Sequence, residues 1–117
     1  IAIYRIPRPD FMPGMAGYGQ ALEEAVKEEM LRYEPLNLHA QQVYLAGRAL
    51  DGPGRPAGSS APDVVYGSVT DPIIVFEIKS GRSALDIKAA DIAEQKERTL
   101  ANMPGHPLYE YIQVYRN

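Results

Sequence analysis

The chain contains no cysteine. That absence removes disulfides, thiol nucleophiles and thiolate metal sites together, leaves the compartment open, and obliges any catalyst to work through oxygen or nitrogen. No apolar run approaches the roughly 20 residues that a bilayer-spanning helix needs, so no membrane segment is expected. There is no initiating methionine. The first residue is Ile1, and the opening IAIYRIPRP has neither the basic start nor the long apolar stretch of a secretion signal, so the sequence is expected to be a piece of something longer. Positive charge is not in excess either: a formal net charge of -3 and a pI near 5.3 argue against coating of nucleic acid by a broad basic surface. A locally basic groove beside an acidic metal site remains compatible with that balance.

What is present suits one soluble globular domain: 117 residues, 45% apolar and 23% charged. Residues 1–17 hold Pro7, Pro9, Pro13, Gly14 and Gly17 and are expected to form an irregular arm, with one short extended piece at Ile1 to Ile6; the domain itself is expected over 18–117. Leu22, Ala25, Val26, Met30 and Tyr33 recur at helical spacing, and Pro35 closes that segment. Gln41 to Leu50, with Val43 and Leu45 alternating, predicts a first strand. Asp51 to Pro62, rich in Gly, Pro and Ser, predicts a long mobile loop. Asp63 to Val69 and Ile73 to Lys79 then predict a hairpin turning at Thr70, Asp71 and Pro72. Its second strand is apolar on both faces and therefore central in its sheet.

Ser83, with Asp86 three residues on, has the form of an N-cap. Leu85, Ala89, Ile92, Thr99, Leu100 and Met103 form the apolar stripe of a second helix, stopped by Met103, Pro104 and Gly105. A last strand is expected over Leu108 to Tyr115. The expected order is helix, three strands, helix, strand, an α/β (α+β) domain without internal repeats.

Antiparallel pairing about a turn near Thr70 and Asp71 brings Asp63 beside Glu77 to Lys79. Glu77 and Lys79 share a face, because side chains alternate along a strand, while Ile78 points into the other layer. Two carboxylates held close repel one another, and a hard divalent cation relieves that repulsion while keeping positions open for water and phosphate. Lys79 beside them suits the positioning of an attacking water and the offsetting of phosphoryl charge. The plainer reading of Glu77 and Lys79 is a solvated strand face with a cross-strand ion pair, and that of Asp63 a turn cap. Glu23, Glu24, Glu28 and Glu29 with Lys27 read as a solvated helix face. His39 and His106 have no metal-ligand spacing, and the tyrosines of the last strand read as sheet packing.

Pro62-Asp63 followed by Glu77-Ile78-Lys79 resembles the motif of the PD-(D/E)xK nuclease superfamily, and the element order resembles its restriction endonuclease-like αβββαβ core, a mixed central sheet flanked by helices. The resemblance covers the chain from Gly19 to Tyr115. It implies a catalytic set of Asp63, Glu77 and Lys79, and a metal, Mg2+ or Mn2+, held by Asp63, Glu77 and Ile78. It also implies a glutamate from the first helix, for which Glu23 fits best with Glu24 and Glu29 as rivals, and a polar residue of the second helix, for which Gln95 and Lys96 match.

The implied activity is metal-dependent endonucleolytic hydrolysis of phosphodiester bonds in nucleic acid, with DNA favoured over RNA. The compact chain is similar to the C-terminal toxin domains of polymorphic bacterial toxins, which implies delivery by a secretion system, action in the cytoplasm of a target cell, and a cognate immunity protein. A repair or recombination nuclease such as a Holliday junction resolvase stays open, as does a non-catalytic binding module on the same fold. Oligomeric state is left open.

Overall fold

The computed structural model describes residues 2–4, 18–80 and 89–114. The elements in chain order are β1 (Ala2–Tyr4), α1 (Tyr18–Tyr33), β2 (Leu38–Ala40), β3 (Val43–Leu45), β4 (Arg48–Leu50), β5 (Val64–Ser68), β6 (Asp71–Ser80), α2 (Ala89–Asn102) and β7 (Leu108–Val114). Five strands form one mixed sheet in the order β1-β7-β6-β5-β2, and β3 and β4 form a separate hairpin. β2, β5 and β6 run antiparallel in succession, whereas β7 is parallel to β6 and β1 parallel to β7. The arm expected to be irregular therefore supplies an edge strand, within the short extended piece anticipated at its start. The expected cap at Ser83 and Asp86, the stripe residue Leu85 and the strand end at Tyr115 lie outside the described residues.

Helix α1 forms because good helix formers fill it and its apolar residues return every fourth position. Leu22, Val26 and Met30 are buried in one core cluster with Leu38, Val64, Ile78, Ile112 and Val114. Lys27 pairs with Glu24 at 3.0 Å and Arg32 pairs with Glu29 on the helix surface. Tyr33, placed in the apolar stripe by its spacing, is instead 79% exposed. The opposite sheet face carries a second cluster, Tyr44, Val65, Val75 and Met103, with Ala49 and Tyr109 packed against it. Alternation along the strands separates the two: even-numbered residues of β5, β6 and β7 face α1, odd-numbered residues face α2 and the β3–β4 hairpin.

The single strand expected over Gln41 to Leu50 is two strands of three residues joined by Ala46 and Gly47, both at positive φ (51° and 81°). That pair of dihedral signs is the tight hairpin turn whose twist suits two antiparallel strands. The buried residue of β3 is Tyr44, fully inaccessible, with Val43 and Leu45 only partly covered. Its hydroxyl donates to the Val69 carbonyl at 2.8 Å, and burial pushes its pKa up to about 12. The first strand of the main sheet after α1 is instead Leu38–Ala40.

Asn102, the last residue of α2, ties this hairpin to the Gly-rich loop. Its side-chain amide donates to the Gly58 carbonyl and the Ser60 hydroxyl, its side-chain oxygen accepts from Ala46 N, and its main-chain oxygen accepts from Gly47 N, all at 2.8 to 3.1 Å. The loop expected to be mobile is thus exposed over 51–58 but anchored at its end, where Ser59 and Ser60 are buried and Ser60 bridges to Tyr44.

The β5–β6 register is set at its turn end by an irregularity between Tyr66 and Gly67. Gly67 has φ of 104°, and a Cβ there would lie 3.2 Å from the backbone nitrogen of Ile73, so only glycine fits. Beyond it the pairs run Tyr66↔Ile74, Val65↔Val75 and Val64↔Phe76. One further step along the same register sets Asp63 opposite Glu77.

Candidate active site at the end of the central strand

β6 is the middle strand of the sheet, and β5 begins only at Val64, so the last residues of β6 project past the end of β5. Asp63 fills that corner. Its Oδ2 accepts a hydrogen bond of 2.8 Å from Ile78 N, doing for this amide what a strand partner would otherwise do. The carbonyl of Ile78 is aimed at the same edge, because the N–H and C=O of one strand residue point the same way.

Glu77 stands on the α2 face of β6 and is only 3% exposed. Burial and the neighbouring Asp63 carboxylate push its pKa up to about 8, against the smaller opposing pull of Lys79. Burial disfavours the charged form of the carboxyl, and a second carboxylate close by adds to that cost. Lys79, two residues on and on the same face, donates from Nζ to Oε1 of Gln95 on α2 at 3.2 Å. Asp63, Glu77 and Lys79 are therefore drawn together at one corner, the meeting expected from the pairing and alternation of the two strands, and Gln95 joins them from α2.

Glu23 arrives from the other side. It lies on α1, and its Oε2 accepts from the Ser80 hydroxyl at 3.0 Å, so it reaches the end of β6 across the sheet from Glu77 and Lys79. Its rivals are held elsewhere: Glu24 pairs with Lys27, and Glu29 with Arg32 near the far end of the helix. Lys96 leaves the apolar stripe of α2, being exposed with Nζ 5.9 Å from the centre of the Tyr109 ring. His39 lies half-buried in β2, and His106 is exposed.

Two residues that the sequence reading assigned to packing belong to this corner. In the parallel register β7 sets Tyr109 beside Val75 and Tyr111 beside Glu77. The two rings meet edge to face at 5.3 Å. The Tyr111 hydroxyl donates to the Ile92 carbonyl of α2 at 3.2 Å, and burial foremost raises its pKa. Burial likewise raises that of Tyr109, with the Glu77 charge adding to it. Their odd numbering within a strand next to β6 was the available signal.

Among the described residues no three His, Asp or Glu side chains gather closely enough to hold a metal ion. The protein's own donors at this corner are two carboxylates and the Ile78 carbonyl. That all-oxygen set suits Mg2+, which keeps several waters and binds through one or two carboxylates plus substrate phosphate. The raised pKa of Glu77 comes first from burial and then from the Asp63 charge, and a cation between the two carboxylates would offset both.

No helix among the described residues is long and apolar enough to cross a membrane. No family model, curated protein or solved structure matches the chain.

Proposed function

We propose that this chain is a metal-dependent nuclease of the PD-(D/E)xK kind, hydrolysing phosphodiester bonds of nucleic acid, with DNA the favoured substrate. The observation that carries the reading is the convergence of Asp63, Glu77 and Lys79 at the end of one hairpin, two carboxylates and an amine on a single sheet face. The element order supports it: with the β3–β4 hairpin and β1 set aside, α1, β2, β5, β6, α2 and β7 follow the αβββαβ sequence of that superfamily.

The division of labour follows from the positions. Asp63 and Glu77, with the Ile78 carbonyl, are the groups that would hold Mg2+ or Mn2+, which when bound supplies Lewis acidity toward the phosphoryl oxygen and a more acidic water. Lys79 has three protons, and Gln95 takes one. The others are left for the acidic corner, where they would orient a water for in-line attack and offset charge on the phosphoryl oxygens as the new P–O bond forms and the ester P–O bond breaks. Gln95 holds the amine in place. Glu23, through Ser80, steadies the end of β6 from the α1 side.

In the biological setting that the resemblance suggests, the chain is a toxin domain delivered by a secretion system and neutralised by a cognate immunity protein. The test is degradation of plasmid DNA and of RNA with and without Mg2+, comparing wild type with Glu77→Ala and Lys79→Ala. Cleavage is expected only with the cation and is expected to fall at least about 100-fold in each variant. Equal activity in all three proteins, or none in any, ends the proposal. Growth arrest on expression, relieved by the product of a neighbouring gene, tests the toxin setting separately.

A further inference from the structure

The sheet face that packs on α1 is not closed along its whole length. Ile78 and Ile112, paired in the β6–β7 register, are both fully buried. Toward the β5–β6 turn, a cross-strand row of the same face runs through Leu38, Tyr66, Ile74 and Leu108, by the successive pairings of β2, β5, β6 and β7. Cover is lost along it, from buried Leu38 through half-buried Tyr66 and Ile74 to Leu108 at 61% exposure. Where this row meets the last turns of α1 there is a groove of about 320 Å³. Met30, Tyr33, Leu38, Tyr66 and Phe76 give it an apolar, mainly aromatic lining, and Glu29 and Glu34 are its charged residues. Leu36, between the lining residues Glu34 and Leu38, is 84% exposed, so the apolar surface continues past the groove. A contiguous patch of that kind suits a protein segment better than a small molecule.

Charge narrows the occupant. Glu29 is paired with Arg32, whereas Glu34 accepts from the neutral amide of Asn37 at 2.8 Å and forms no ion pair among the described residues. The groove also sits at the negative end of the α1 dipole. Exposed Glu110, beside Phe76 in the β6–β7 register, puts a third carboxylate on this face. Nucleic acid and anionic lipid would bring like charge to it, and a second copy docked about a two-fold axis would set these carboxylates against themselves. A cation on an apolar stem satisfies both halves of the groove, with its stem on Met30 and Leu38 and its head on the ring faces and a carboxylate. Arginine does so best, because its planar guanidinium stacks on a ring and gives two parallel hydrogen bonds to one carboxylate. We propose that this groove is a docking site for a basic segment of a partner protein, seating an arginine against Tyr33, Tyr66 and Phe76 with its guanidinium on Glu34. The site lies roughly 15 Å along α1 from Glu23, at the other end of the helix from the candidate active site, and does not depend on the nuclease reading.

The test titrates the isotope-labelled full chain with a blocked pentapeptide alternating leucine and arginine, followed through the amide resonances. A second peptide carries citrulline, the neutral isostere, in place of arginine. The arginine peptide is expected to shift Leu38, Tyr66 and Phe76 while leaving Glu77 and Lys79 in place. The citrulline peptide is expected to bind about fivefold more weakly, the scale of one partly exposed ion pair. Glu34→Gln should weaken the arginine peptide by the same factor and leave the citrulline peptide unaffected, since the two changes remove one interaction. Tyr33→Ala, at an exposed residue, should weaken both peptides. Equal binding of the two peptides to wild type would make the groove merely apolar and overturn the proposal, as would the absence of any shift at these residues up to millimolar peptide. Shifts confined to the Glu77 and Lys79 corner would place the cation elsewhere and overturn it too. Concentration-dependent shifts of the groove residues without peptide, with a dimer in sedimentation, would give the groove to a second copy instead.

Discussion

The two faces of the central sheet are built from alternate residues of the same strands, yet they do different work. Toward α1 the sheet presents Val64, Ile78, Ile112 and Val114, all closed over by Leu22, Val26 and Met30. Toward α2 the apolar cluster is smaller, Tyr44, Val65, Val75 and Met103, and along β6 it gives way to Glu77 and Lys79. Burying aliphatic surface stabilises a fold without regard to orientation, whereas burying a carboxyl costs free energy unless a partner or a cation compensates. The first face therefore carries stability and the second holds an unfavourable arrangement in place. Ile78 shows how tight the division is, since its side chain belongs to one face while its main-chain amide fastens Asp63 at the corner of the other.

The contrast can be broken hardest at Ile78. Ile78→Ala removes a fully buried side chain from the α1 face and is expected to lower stability by about 2–5 kcal/mol in denaturant unfolding. Cleavage per folded molecule should stay near wild type at low temperature, because the main-chain amide that holds Asp63 is retained. Loss of cleavage out of proportion to unfolding would show that the faces are not separable.

The opposite result is expected at Glu77. Its pKa is raised by folding from the ordinary 4.5 to about 8, so its contribution to metal-free stability is complete below about 4.5 and is lost as pH climbs through about 8. Across that window stability should fall by up to about 1.4 kcal/mol per pH unit. Glu77→Gln should flatten this slope and be more stable than wild type at pH 8 and above, while losing cleavage. Mg2+ should stabilise the wild type more as pH rises, because binding displaces the proton. Parallel pH–stability curves for wild type and Glu77→Gln would contradict the assignment.

Asn102 sharpens the comparison from within the α2 side. It is polar and buried, but all its bonds run to the hairpin and the Gly-rich loop. Asn102→Ala is expected to cost about 1–3 kcal/mol, with the loop over 51–58 becoming more open to protease, and to leave cleavage by the folded protein intact. A polar residue on this side is then structural or chemical according to its partners, and a large effect on turnover with no effect on stability would reverse that assignment.

The α1 stripe, the β5–β6 hairpin and the meeting of Asp63 with Glu77 and Lys79 were legible because each depends on short-range periodicity. A repeat near four places a face on α1, and a repeat of two across one tight turn makes residues fourteen apart into neighbours. The β3–β4 hairpin was not legible: its turn is Ala46-Gly47, with an alanine at positive φ held by the cap of a helix more than fifty residues away. For the same reason β2, only three residues long, is a strand by virtue of pairing with β5 rather than by its own pattern.

Local pattern by itself thus determined which residues form helices and the central hairpin, and which three polar side chains share its corner, since alternation and turn position are properties of adjacent residues. The tertiary structure alone decided that Glu23 meets Ser80 from behind the sheet, that Gln95 receives Lys79, and that Tyr109 and Tyr111 line the acid's flank. Those contacts join segments whose spacing along the chain is arbitrary. They exist only because parallel pairing of β7 with β6 and the seating of two helices on opposite faces bring distant side chains within reach of one carboxyl.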